Sequence, residues 1–275
     1  MSFLNFFKKK KDEPSKKSEK NTHPPKPNIS TEMVAARKGE IGEYKIDIQL
    51  DQLPKDILYL SDLLIENKKA KSGYSQIDHV ILSPYGIIVI ETKNYKGTIY
   101  GGKERNTWLV NGKFKMMNPF VQNYGHIQAL KTLVDLNHKE IFISMVSFTK
   151  RCTFKVGVDY RKITSDELLV YDIELSEFIH RKISTLKLQH KEPLLSSDDI
   201  SIIYKRFSNA NIADAKIRER HTQALKNQTI NEVTNQPFTC AKCHKPVSAK
   251  VRSYCLSKQK FKGEIYCFDH QKAIK

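Results

Sequence analysis

Gln76-Ile-Asp-His-Val-Ile-Leu-Ser83, Pro84-Tyr85, Gly86-Ile-Ile-Val-Ile-Glu-Thr-Lys93 is the stretch that decides the fold. Two runs rich in β-branched residues flank a Pro-Tyr-Gly break, which predicts a β-hairpin. If Ser83 and Gly86 close the turn, Asp78 falls opposite Glu91 and Gln76 opposite Lys93. Side chains alternate faces along a strand, so all four share one face. Directly paired positions hold their Cβ atoms about 5 Å apart, and like charges there are destabilising. A hard cation such as Mg²⁺ removes that cost, because it prefers oxygen ligands and keeps waters free for a substrate phosphate. The plainer reading is a solvated strip of ordinary Asp–Lys and Glu–Lys pairs. A bulge would break the register altogether.

Lys93 lies two residues after Glu91 and points to the same place. It can hold or help deprotonate an attacking water, or stabilise charge developing on phosphorus. With a metal to activate that water, the reaction class is phosphodiester hydrolysis.

Outward from the hairpin, the pattern predicts a helix from Thr31 to Leu50, ended by Pro54. Strands are expected at about Ile57–Ile65, Thr107–Val110, Lys113–Met116, Ile141–Phe148 and Thr153–Val158. Asn111-Gly112 is a strong hairpin turn. Pro119 opens a helix to about Leu136, with Val121, Ile127, Leu130, Leu133, Val134 and Leu136 on one broad face. Two or three helices fill roughly 174–226. The order helix, antiparallel strands, helix, strand gives an α/β (α+β) fold, a mixed sheet flanked by helices.

The 275 residues are 39% hydrophobic, enough for a core but lean for one compact body. No run approaches a membrane span. The apolar Met1–Phe7 precedes its lysines, the wrong order for a secretory signal, so a cytoplasmic protein is expected. Lys8–Pro27 reads as a disordered basic linker, with Met1–Phe7 offering at most a weak membrane-surface contact. The net charge of +17 divides into +6 over 1–38, +3 over 39–217 and +8 over 218–275. Basic flanks on a near-neutral body suit a polyanion, either nucleic acid or an anionic membrane.

The tail reads Cys240-Ala-Lys-Cys243, then 23 residues, then Cys267-Phe-Asp-His270. Two such knuckles are a strong zinc signal, with Cys240, Cys243, Cys267 and His270 as a closed Zn²⁺ ligand set. Cys255 is a small buried residue or an alternative to His270, and His244 is a weaker candidate. The intervening Lys242, Lys250, Arg252 and Lys260, with Tyr254 and Phe261 among them, suit nucleic-acid contact. Cys152 stands alone and reads as core.

Several motifs in order resemble one family. These are Gly39-Glu40-Ile41-Gly42-Glu43, Gln76-Ile-Asp-His-Val80, Ile90-Glu-Thr-Lys-Asn94 with Gly97, Trp108, and Asn118-Pro119-Phe-Val-Gln122. Together they look like the nuclease-related domain, NERD, over about 36–150. That family is placed by similarity with the PD-(D/E)xK nucleases. The resemblance implies a restriction-endonuclease-like sheet in which Asp78, Glu91 and Lys93 form the catalytic core. Asp78 and Glu91 would hold Mg²⁺ or Mn²⁺. Glu43, on the first helix, would be a further metal or water ligand, and Gln122 a polar neighbour. Glu40 and Glu43 could also share a solvated helix face. Ile77 stands where the motif name has proline. His79 and Trp108 are expected to be structural.

The expected organisation is a disordered basic segment over 1–30, the nuclease-like domain over 31–160, a helical extension over 161–235 and a small zinc ribbon over 236–275. The expected function is metal-dependent hydrolysis of nucleic acid, DNA in preference. An inactive nucleic-acid-binding protein and a membrane-surface or signalling adaptor are the alternatives.

Overall fold

A computed structural model describes residues 31–135, 140–234 and 238–274, with side chains described except at 31–39, 227–234 and 249. The basic segment 1–30 and Leu136 lie outside the described residues.

Strand β3 (Gly86–Lys93) is the axis of the molecule, and its first six residues are all buried. A run buried at every position, apolar from Ile87 to Ile90, needs cover on both faces. It receives that cover at the centre of a five-stranded sheet with β1 (Leu58–Glu66), β2 (Tyr74–Ser83), β7 (Phe142–Phe148) and β9 (Glu167–Tyr171), ordered β1-β2-β3-β7-β9. The β1–β2–β3 part is antiparallel, while β7 and β9 run parallel to β3.

The alternation along β3 sorts the helices. Ile87 and Val89 face a cluster with Ile127 and Leu130 of α2 (Pro119–Leu130) and Ile200, Ile203 and Phe207 of α4 (Ser197–Ala210). Ile88 and Ile90 face Ile46 and Leu50 of α1 (Thr31–Leu50) and Leu175, Phe178 and Ile179 of α3 (Leu175–Gln189). Each face therefore carries two helices. This is the mixed sheet flanked by helices that the element order implied.

A second sheet, ordered β6-β5-β4-β8, joins β4 (Gly97–Tyr100), β5 (Thr107–Val110), β6 (Phe114–Met117) and β8 (Cys152–Lys155). Asn111 and Gly112 turn its hairpin with φ of 55° and 68°, the doubly left-handed turn that Asn-Gly accommodates. Trp108 is fully buried beneath it, and Cys152 is buried too. Gly101 is required here, because a Cβ there would meet the Trp108 ring at 2.2 Å. Strands β4 and β9 were absent from the sequence reading.

Helix α2 ends sooner than its pattern predicts. It closes at Leu130 into one 3₁₀ turn over Lys131–Leu133. The Thr132 hydroxyl donates to the Ala129 carbonyl at 2.7 Å, which competes with helix continuation. Val121 is 45% exposed, off the buried face set by Phe120, Asn123, Ile127 and Leu130.

β9 pairs along β7, α4 adds Ile200, Ile203 and Phe207 to one core cluster, and α3 adds Leu175, Phe178, Ile179 and Leu186 to the other. A boundary at residue 160 thus separates two neighbouring strands. Within the expected helical extension over 161–235, α3 and α4 thus belong to the core, and α5 (Ala215–Thr234) is the helix that lies beyond the clusters. The C-terminal module has the hairpin β10 (Phe238–Thr239) and β11 (Pro246–Val247), then α6 (Ala249–Ser257) and α7 (Phe268–Gln271). No helix among the described residues is long and apolar enough to cross a membrane.

Candidate metal centre and cleft

The hairpin register is the expected one from Ser83↔Gly86 to His79↔Ile90, and there the ladder ends. Asp78 and Glu91 are next in line, but their strands part. The Asp78 carboxylate replaces the missing backbone partner and accepts the Thr92 N–H at 2.6 Å. Gln76 is not beside Lys93. It stays with β1, paired with Leu64, and its amide donates to Asp62 at 3.0 Å. Two facing carboxylates favour this parting, and the Asp78 cap supplies an acceptor to a backbone donor that would otherwise be orphaned.

The parting opens a cleft of about 1790 Å³ in which Glu43, Asp78, Lys93, Gln122 and His126 share the lining. Glu91 lies immediately beneath, only 2% exposed. Its Oε1 accepts from Lys93 Nζ at 2.5 Å. Its Oε2 has no hydrogen-bond partner, and His126 Nε2 stands 3.2 Å away without the alignment of a hydrogen bond. Gln122 Oε1 accepts from the same Lys93 ammonium at 3.0 Å. Asn118 caps α2 through the Phe120 N–H, which fixes where Gln122 and His126 project. Asn123, on the same helix, donates to the Val89 carbonyl at 2.9 Å and ties α2 to β3. Helix α1 reaches the cleft where Gly42 passes Thr92, a Cβ there lying 3.5 Å from Thr92 Cγ2. That approach puts Glu43 at the gap.

The electrostatics separate the acids. Burial, then the charges of Glu91 and Glu43, push the Asp78 carboxyl well above its usual range. Burial also raises Glu43, with Asp62 and Glu91 adding to it. Burial alone would raise Glu91 too, but the Lys93 ammonium and His126 outweigh it and hold it low. Lys93 is opposed by burial, yet Glu91 and Asp78 raise it, so its charged form is favoured. Without a cation beside them, Asp78 and Glu43 are therefore disfavoured in their charged forms where they meet the cleft.

Two features escaped the sequence reading. His126 is one helical turn after Gln122, and that i,i+4 spacing was the available signal. Asp62 lies across from Asp78 between the pairs Ser61↔His79 and Leu63↔Ile77, with a left-handed φ of 52°. Arg218 of α5 grips Asp62 at 2.7 Å, which no local pattern foretold. His79 is structural as expected, on the opposite face. It contacts Ser61 Oγ at 2.9 Å and Asp47 Oδ1 at 3.3 Å. Glu40 is exposed.

In the tail, Cys240, Cys243, Cys267 and His270 bring their ligand atoms within 4.8 Å of one another. Cys243 Sγ and Cys267 Sγ are 3.7 Å apart, and His270 Nδ1 is 3.3 Å from both Cys240 and Cys267 Sγ. Tetrahedral Zn–S bonds of about 2.3 Å separate sulfurs by about 3.7 Å, so the cluster is compatible with zinc. Cys255 is buried apart from it, against the Tyr266 backbone and Gln271 Nε2. His244 takes a left-handed φ of 57° in the knuckle turn and is not in the cluster.

The parted hairpin, a carboxylate–lysine cluster at its fork and the mixed sheet behind it define a nuclease-like α/β fold. Residues 38–149 match the nuclease-related domain. An uncharacterized protein of Bacillus anthracis is 30% identical over 196 residues, covering 70% of this chain and 85% of that relative. The chain belongs to the nuclease-related domain family. No solved structure matches it.

Proposed function

We propose that the protein is a metal-dependent nuclease that hydrolyses phosphodiester bonds of nucleic acid, with DNA as the expected polymer. The observation that carries this reading is Glu91. It is a buried carboxylate with one oxygen bound by Lys93 and the other facing His126 at 3.2 Å without an aligned hydrogen bond, beside a second, destabilised carboxylate at Asp78. A buried acceptor left unsatisfied costs roughly 1–3 kcal/mol, and more when charged. A divalent cation fits that deficit, and Mg²⁺ or Mn²⁺ matches an oxygen-rich donor set.

Asp78 and Glu91 would hold the ion, with Glu43 on the opposite wall as a ligand or water acceptor. When bound, it supplies charge neutralisation at the scissile phosphate and an acidified water. Lys93 stays protonated between Glu91 and Gln122, so it acts as a fixed positive charge for the pentavalent phosphate. Gln122 orients that ammonium. Cys240, Cys243, Cys267 and His270 would hold Zn²⁺ as a structural site, and its basic surroundings would assist polymer binding. Reduced thiols of this kind suit the cytoplasm.

The test is cleavage of labelled DNA and RNA by wild type, Asp78→Ala and Lys93→Ala in Mg²⁺, Mn²⁺ and EDTA. Metal-dependent cleavage that both substitutions abolish supports the proposal. Cleavage that neither substitution changes sinks it, and leaves a binding protein without this activity.

A further inference from the structure

The cleft is larger than the roughly 300–1,000 Å³ of small-molecule sites, which suits a polymer. Its lining combines basic with aromatic side chains. The β1–β2 loop carries Lys68, Lys69 and Lys71, all exposed, and the exposed Lys115 of β6 lines the same cleft. The same lining also carries exposed apolar and aromatic side chains. Met117 is 57% exposed, Tyr124 62% and Tyr95 36%. Scattered exposed apolar residues need no explanation, but these converge on one cleft. They also border the catalytic candidates in sequence. Tyr95 is two residues after Lys93, and Tyr124 two after Gln122.

A duplex would use the lysines and leave the aromatic rings idle, because its bases are stacked inside and its backbone is what it presents. Unpaired bases offer π-faces. Stacking on aromatic side chains is worth roughly 5- to 150-fold in affinity per base and tolerates any sequence. We propose that the cleft takes single-stranded nucleic acid, with the backbone along Lys68, Lys69, Lys71 and Lys115 and bases stacked on Tyr124 and Tyr95. This rests on the nuclease reading only for where the scissile phosphate would lie; the strand preference stands on the cleft's lysine and tyrosine lining alone.

The full chain, with its zinc and in buffer free of Mg²⁺ and of chelator, is titrated into fluorescent oligo(dT) of about 16 nucleotides, the upper end of single-strand site sizes. Oligo(U) and a duplex of equal length run alongside. Oligo(dT) or oligo(U) should bind at least about tenfold more tightly than the duplex, and the two single strands compared with each other separate DNA from RNA. Tyr124→Ala and Tyr95→Ala should each weaken single-strand binding by about fivefold or more, with duplex binding within about twofold and Tyr124→Phe restoring affinity. Replacing Lys68, Lys69 and Lys71 together should lower the salt slope by about two. Duplex binding as tight as single-strand binding overturns the inference. So does an equal loss on both substrates in the tyrosine variants, or affinity no better than the roughly 100 µM of non-specific contact. Single-strand preference without cleavage keeps the inference and removes the nuclease proposal, while duplex cleavage without it does the reverse.

Discussion

Asp78 accepts the backbone N–H of Thr92 at 2.6 Å, at the point where β2 leaves β3. One side chain thus holds the fork open and places a carboxyl whose charged form is disfavoured at the cleft. Asparagine keeps an acceptor for Thr92 and removes the charge that burial, Glu91 and Glu43 oppose. Asp78→Asn should therefore unfold at the wild-type temperature or above it, while Asp78→Ala unfolds lower by about 1–3 kcal/mol for the orphaned donor. Thermal melts of the three proteins decide this, and an Asn variant less stable than the Ala variant contradicts the cap.

His126 faces Glu91 from α2 at 3.2 Å. Residues that orient metal-holding carboxylates typically cost 10–100-fold in metal affinity or activity when removed, so His126→Ala should raise the Mg²⁺ midpoint of cleavage by about that factor. A Mg²⁺ titration with an unchanged midpoint would assign His126 to packing alone.

Zinc content separates the cysteines. Cys243→Ser and His270→Ala should lose bound zinc and expose residues after 238 to protease, since a structural zinc stabilises its module outright. Cys255→Ala should retain zinc, because Cys255 lies outside the cluster. Metal analysis beside limited proteolysis reads both, and zinc lost only from Cys255→Ala reverses the assignment.

Glu174 supplies a pH test away from the cleft. Burial would raise its carboxyl, but hydrogen bonds from Arg161 and the Tyr171 N–H outweigh this and lower it below its usual 4.5. A depressed carboxyl contributes stability that is present above the unfolded-state value and is lost as pH falls through the folded one. Glu174→Gln should be less stable than wild type at neutral pH, by about 1 kcal/mol or less for a half-buried pair that water still screens. The gap should close as pH falls below 4.5. A gap that widens on acidification contradicts the sign.

The hairpin register, the two-faced sheet and the four-ligand tail were legible because each depends on short-range pattern: alternation, turn residues and knuckle spacing. The place where β2 leaves β3 was not, since it depends on Asp78 reaching the Thr92 backbone. Strand β4 is four residues long, and β9 is joined to the sheet only through β7. Short strands of this kind carry too little alternation to stand out from loops. The Arg218–Asp62 contact joins residues far apart in sequence, and propensity has no access to it. His126 was readable in principle, one turn from Gln122, once that helix face was known to meet Glu91.

The most direct test of the central claim is single-turnover cleavage of a labelled oligonucleotide across a Mg²⁺ titration, comparing wild type with an Asp78→Asn protein first shown to be folded by its melt. Wild type should cleave in Mg²⁺ and not in EDTA, and Asp78→Asn should be slower by about 10²-fold or more, the scale of a lost electrostatic group at a reacting phosphate. Equal rates for the two proteins, or cleavage indifferent to the metal, would contradict a catalytic centre built on Asp78, Glu91 and Lys93.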